Sequence, residues 1–179
     1  MDVRECLIST GVDMLEKSHI HALSLRAIAR AAGVSHGAPR HHFPTYAALL
    51  AEIARRGADD LDAMLAPALA VPDATEALWS GAAVYVRFAI ERPEMFELIT
   101  RHDLLEGAGG NLREVTSSWF RAAAQALARL RGDAVPETQV LALWANVHGL
   151  AALLSRRTTD PIVAVAPEAA LEAIFRVHL

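Results

Sequence analysis

Lys17, Arg26, Arg30, Arg40 and five histidines stand in a stretch that holds no Asp or Glu between Glu16 and Glu52. Cations without neighbouring acids suit phosphate, because guanidinium and ammonium groups donate to phosphodiester oxygens and displace counterions as they do so. The rest of the chain is acidic. Residues 1–56 hold seven Arg/Lys against five Asp/Glu and the remainder ten against sixteen, which gives the formal net charge of −4. An asymmetry of this kind points to one end that faces nucleic acid and a body that repels it.

Other chemistries find less support in the residues. His36, His41 and His42 are spaced by five and six, which puts them on different faces of a helix, unlike the i, i+4 pairs that bind a metal. There is no nucleophile–base motif and no phosphate loop, so no catalytic residue, metal or cofactor is expected and the chain does not read as an enzyme. Trp79, Phe88, Met95, Phe96, Trp119 and Trp144 supply material for an apolar ligand pocket, with His148 as a donor to its occupant. The same residues at helical spacing also suit a core. Asp59, Asp60 and Asp62 read as a solvated helix face, and Asn146 interrupts an apolar helix with no partner visible in the sequence.

The elements that must hold these residues are helical throughout. Ile8, Val12 and Leu15 recur on one helix face, with Gly11 marking a place where a neighbouring backbone passes close. Ser24 is an N-cap for a helix over Leu25–Ala31, with Ile28 and Ala29 turned inward. Gly33 allows the positive φ of a sharp turn. Ser35 caps a second short helix beginning near His36, in whose first turn Pro39 costs little. Phe43 anchors its far end, leaving Arg40, His41 and His42 to project outward. Farther on, Pro67 and Pro72 stop a fourth helix, and Asp73 with Glu76 resembles a capping box. Asn111 with Glu114 marks another helix start. From about Glu137 to Arg156 the apolar residues cover most of the helix circumference, which calls for cover on more than one side, as a second subunit would give. Pro167 opens a last amphipathic helix.

The fold class is therefore all-α: an N-terminal three-helix helix-turn-helix head over residues 1–50, and a helical bundle over 51–179. No apolar run reaches the ~18–20 residues of a membrane span. The start lacks the layout of a signal peptide, and a lone Cys6 suits a reducing, cytoplasmic setting.

Residues 24–50, SLRAIARAAGVSHGAPRHHFPTYAALL, resemble the DNA-binding head of the tetracycline-repressor (TetR) family of bacterial transcriptional regulators. The family pattern is Leu-x-x-Ile-Ala-x-x-Ala-Gly-Val-Ser-x-Gly-x-x-Tyr-x-His-Phe-x-x-Lys-x-x-Leu-Leu. The resemblance implies that His36, Gly37, Ala38 and His41 lie in or near the groove of double-stranded operator DNA, and that Ser35, Arg40, His42 and Tyr46 lie near phosphates. Together with Arg26 from the acid-free stretch, these are the expected DNA-binding residues. The chain departs from the pattern where Arg40 replaces the tyrosine and Tyr46 the lysine, so one phenol and one cation exchange places. His19 stands where the family has glycine, and histidine tolerates a positive φ there.

In the body, ERPEMFELI and LWANVHGLAAL resemble a TetR regulatory domain with a Trp-x-x-x-His-Gly element, here Trp144, His148 and Gly149. This implies a homodimer through the last two helices and a cavity for a small apolar effector. The expected function is a repressor released from a palindromic operator by that effector, with half-sites about one helical turn apart or a multiple of it. The alternative is a dimeric helical interaction or ligand-binding protein that has lost DNA binding.

Overall fold

A computed structural model describes residues 2–35, 37–101, 107–157 and 165–179. Among these, every regular element is helical: α1 (Val3–Lys17), a 3-10 turn (Ile20–Ala22), α2 (Leu25–Ala31), α3 (Ala38–His42), α4 (Tyr46–Leu69), α5 (Ala74–Glu91), α6 (Pro93–Thr100), α7 (Leu112–Arg131), α8 (Glu137–Ser155) and α9 (Pro167–His178). The chain forms two compact units, Met1–Asp59 with Glu94–Leu112, and Asp60–Pro93 with Arg113–Leu179. The cut at residue 50 read from the sequence falls inside α4.

In the first unit α1, α2 and α3 pack on one another. Leu7, Ile8 and Leu15 of α1 bury against this centre with Ile28, Ala29 and Phe43. Gly11 does leave room for a neighbour, but that neighbour is the Ile53 side chain rather than a backbone. Ser24 caps α2, its Oγ accepting from the Ala27 N–H at 3.1 Å. At the other end Gly33 takes φ +68°, the Gly33 N–H donates to the Arg30 carbonyl and the Val34 N–H to the Ala29 carbonyl. This closing pattern needs a left-handed residue, and glycine takes it without a Cβ clash.

α3 begins at Ala38, later than the sequence suggests, and its N-cap is Gly37 with no side-chain cap. The Ser35 carbonyl, not its hydroxyl, accepts from the Ala38 N–H at 3.0 Å. His19 is extended, with φ −74°, so the position needs no left-handed residue. Glu94 of α6 holds the backbone there: its carboxylate accepts from the Ile20 N–H at 2.9 Å and from His19 Nδ1 at 2.8 Å.

α4 runs through Pro67, which therefore does not stop it. Proline that close to a helix end removes a single bond, and the Ala70 N–H still reaches the Ala66 carbonyl. Asn111 adopts φ +47°, which makes it a turn residue rather than an extended N-cap.

In the second unit α5 packs on α8 and α9, and α8 packs on α9. Asp73 caps α5, accepting from the Glu76 N–H at 2.8 Å. The Leu69 side chain closes over Gly81, where any Cβ would collide with it. Asp60 and Asp62 are not simply solvated: Asp60 pairs with Arg92 at 2.9 Å, and Asp62 accepts from the Trp119 indole at 2.8 Å. Asn146 also has a partner, donating to the Ala142 carbonyl at 2.9 Å and to His178 Nε2 at 3.2 Å.

α8 buries only Val140, Leu143, Val147 and Ala151, leaving Leu141 at 51% and Leu153 at 45% exposure. By length and mean hydropathy this one described helix is apolar enough to cross a membrane, although no uninterrupted apolar run suggests it. It carries Glu137, Gln139 and Asn146 and packs on α5 and α9, with only about a fifth of it buried.

Candidate nucleic-acid interface and apolar cavity

The head presents its cations on α2 and α3. Arg26, Arg30, Arg40, His41 and His42 are all exposed, as are Ser35 and Gly37, while Ala38 is half-buried at the start of α3. Arg26 and Arg40 both line one open groove of about 580 Å³, together with Ser24, Gly37, Pro39 and Tyr46. Among the described residues neither arginine has an acidic partner. Other arginines of the same unit are paired: Arg4 with Glu52 at 2.9 Å and Arg56 with Glu5 at 2.7 Å. Arg4 also lies over the Phe43 ring, 5.4 Å from its centre. Cations near acids are neutralised, and those in the acid-free stretch remain available to an external anion. His36 lies outside the described residues.

Tyr46 is placed differently from what the phosphate reading requires. Its hydroxyl donates to the Leu23 carbonyl at 3.0 Å, and half-burial raises its pKa. The one phenolic proton is thus engaged inside the head, and the ring forms part of the groove wall. Ser24, which no motif singled out as a groove residue, lies beside it.

The second unit holds an apolar cavity of about 70 Å³, partly open to solvent and lined by residues that include Leu69, Tyr85, Trp119, Leu143, Trp144 and Phe175. Of the six residues expected at a ligand, Trp119 and Trp144 line it. His148 sits behind the wall: its Nδ1 shares a 2.9 Å hydrogen bond with the Tyr85 hydroxyl, and its ring stacks on Trp144 at 4.8 Å between centres and 12° between planes. Burial lowers the His148 pKa and raises that of Tyr85 far above its ordinary value, so both are neutral near pH 7.

Phe88, Met95 and Phe96 are buried and do not line this cavity. Phe88 carries the Arg92 guanidinium over its ring at 5.1 Å. Met95 fills the space left by Gly57 in the first unit. Trp79 packs on Phe175, with ring centres 5.5 Å apart. The aliphatic wall residues were invisible as a site in the sequence, since leucine and valine at helical spacing read as core. No group of His, Cys, Asp or Glu among the described residues is arranged to hold a metal ion.

Two family models match the chain. Residues 7–53 match bacterial regulatory proteins of the tetR family, and residues 78–177 match the tetracyclin repressor-like C-terminal domain. Among solved structures, a protein of unknown function from Rhodococcus sp. RHA1 superposes with a TM-score of 0.81 at 29% identity, over 99% of this chain and 94% of that one. A candidate transcriptional regulator from Streptomyces coelicolor A3(2) gives 0.66 at 25% identity, over 98% and 97%. AibR, solved with isovaleryl coenzyme A and operator DNA, shares the fold with a TM-score of 0.69 at 13% identity, over 98% and 97%. No match was found among the curated proteins.

Proposed function

Because this chain belongs to the TetR family of bacterial regulatory proteins and is a DNA-binding transcriptional regulator, we propose that it is a homodimeric, cytoplasmic, non-enzymatic repressor. A small apolar effector entering the cavity of its second unit releases it from a palindromic operator. The observation that carries this reading is the groove between α2 and α3, where Arg26 and Arg40 face solvent with no acidic partner among the described residues.

Arg26 and Arg40, which both line this groove, hold phosphates, with the Ser35 hydroxyl and His42 as further donors. Gly37, Ala38 and His41, together with His36, face the base edges. Small residues at the start of α3 let its backbone approach the groove floor. Tyr46 contributes by fixing the wall on which the arginines stand. In the regulatory half, residues 51–179, Trp144, His148 and Gly149 form the Trp-x-x-x-His-Gly element. Effector contact falls to Trp119 and Trp144, with His148 behind them. Leu141 and Leu153 of α8, Val177 of α9 and the adjoining Leu179, all exposed, make the homodimer contact. DNA and effector must weaken each other's binding by the same factor.

Selection from random double-stranded DNA by the purified protein tests the reading. Enrichment of a palindrome is expected, and a folded dimer that enriches nothing would overturn it. On the selected site, Arg40→Ala should lower affinity for all sequences and reduce the slope of log K against log salt by about 1. An unchanged slope would remove Arg40 from the phosphate contacts.

A further inference from the structure

We propose that the head is a proton-responsive DNA-binding surface: His41 and His42 take up protons as DNA binds, so that mild acid tightens the grip and mild alkali loosens it. This rests on the reading of α3 as the element that meets DNA. Between Glu16 and Glu52 the permanent cations are Lys17, Arg26, Arg30 and Arg40, and five of the chain's eight histidines share that acid-free stretch. Imidazole is the side chain that gains its charge between about pH 8 and pH 5. With four permanent charges and five titratable ones, the positive charge of the stretch can more than double over that range.

The fold sorts these histidines by their partners. His19 is taken by Glu94, 2.8 Å away, and His21 lies on the 3-10 turn. His41 and His42 close α3 beside Arg40, both exposed and without a hydrogen-bond or ion-pair partner among the described residues. α3 packs on α1 and α2. The ionisable groups of α2 are Arg26 and Arg30, both cations. Those of α1 are Arg4, Glu5, Cys6, Asp13, Glu16 and Lys17. Of these, Arg4 pairs with Glu52, Glu5 with Arg56, and the Cys6 thiol with the Ala32 carbonyl. Among the described residues no carboxylate pairs with His41 or His42, so a protonated imidazole there finds its partner outside the chain. A phosphodiester supplies it to His42, and the N7 and O6 acceptors of a guanine in the major groove supply it to His41. DNA favours the charged rings, and protons and DNA therefore strengthen each other's binding by the same factor.

The test measures binding of the full-length protein to its selected palindrome and to a scrambled duplex between pH 6 and pH 8, at several salt concentrations. Circular dichroism confirms the fold at each pH. Affinity for the palindrome should rise at least about tenfold from pH 8 to pH 6. The slope of log K against log salt should steepen by about one per head as each charged His42 meets a phosphate. The scrambled duplex should share the gain due to His42. The double variant His41→Gln, His42→Gln should flatten the pH dependence, whereas His21→Gln should retain it. His42→Lys fixes the charge, so its salt slope at pH 8 should match that of the wild type at pH 6. Affinity and salt slope that do not change between pH 6 and pH 8 overturn the proton response and leave the regulator reading standing. A pH dependence that survives in the double variant overturns it as well, because the protons then go elsewhere. A folded dimer that enriches no palindrome at either pH overturns the regulator reading, and the proton response of the operator with it.

Discussion

At position 46 a phenol stands where the family pattern has a lysine, and the fold gives it an internal task. The hydrogen bond from Tyr46 to Leu23 fixes the residue just before the Ser24 cap, so the start of α2 and the start of α4 are joined at one point. Tyr46→Phe should lower stability by about 1 kcal/mol, the usual net worth of such a bond, as read by urea unfolding. The folded fraction should keep its operator affinity. A large loss of affinity with unchanged stability would return Tyr46 to the DNA contacts. His148 is a second residue whose surroundings matter more than its identity. Burial makes the folded protein bind its proton less readily than the unfolded chain, whose ordinary value is 6.5. The contribution of the neutral ring is therefore complete above that value and is lost as pH falls through the lower folded one. The melting temperature of the wild type should decline between about pH 7 and pH 5 more steeply than that of His148→Gln. Parallel curves would show that the histidine does not govern the slope. The sequence made both residues visible, since each stands in a motif, but their hydrogen-bond partners are 23 and 63 residues away in the chain.

Among the elements, α2 shows how much a short helix owes to its ends. Seven residues do not make a stable helix alone. The Ser24 cap, the closing bonds around Gly33 and the burial of Ile28 and Ala29 hold it in place. Gly33 meets nothing within 4 Å of where a Cβ would stand, so its requirement is purely the φ of +68°. Gly33→Ala should cost about 1–2 kcal/mol in urea unfolding without altering the residues of the groove. A neutral result would mean that the turn relaxes. Caps and turns of this kind are local and were legible in the sequence, as Ser24, Asp73 and Gly33 show. Where side-chain and backbone bonding compete, the sequence is less decisive. Ser35 has the right chemistry to cap α3, yet the chain closes the turn through the Ser35 carbonyl and starts the helix at Ala38. Pro67 likewise looks like a stop, but sits late enough in α4 to be absorbed.

For the molecule as a whole, α8 and α9 carry the largest unmet demand for burial. Leu141, Leu153, Val177 and Leu179 are exposed at 51%, 45%, 82% and 43%. A Cβ at Gly149 would enter open space, so nothing within the described chain requires glycine there. In the proposed homodimer, a closely approaching helix from the second copy accounts for both facts. Gly149→Trp should leave the monomer folded, since glycine is already the poorer helix former by about 1 kcal/mol, and should convert the dimer to monomer in sedimentation. A dimer that tolerates this substitution would place the interface elsewhere.

The amino-acid order was enough for the all-helical class, the helix-turn-helix head and its acid-free cationic stretch, because period, caps, glycine turns and charge are properties of near neighbours. Packing settled which aromatics form the cavity and which the core, and which cations of the head lack an acid among the described residues. It also gave Tyr46 the task of holding the head together. Those outcomes depend on residues distant in the chain competing for the same space and the same hydrogen bonds, and leucine, tryptophan or arginine at a helical spacing carries no mark of which neighbour it will meet.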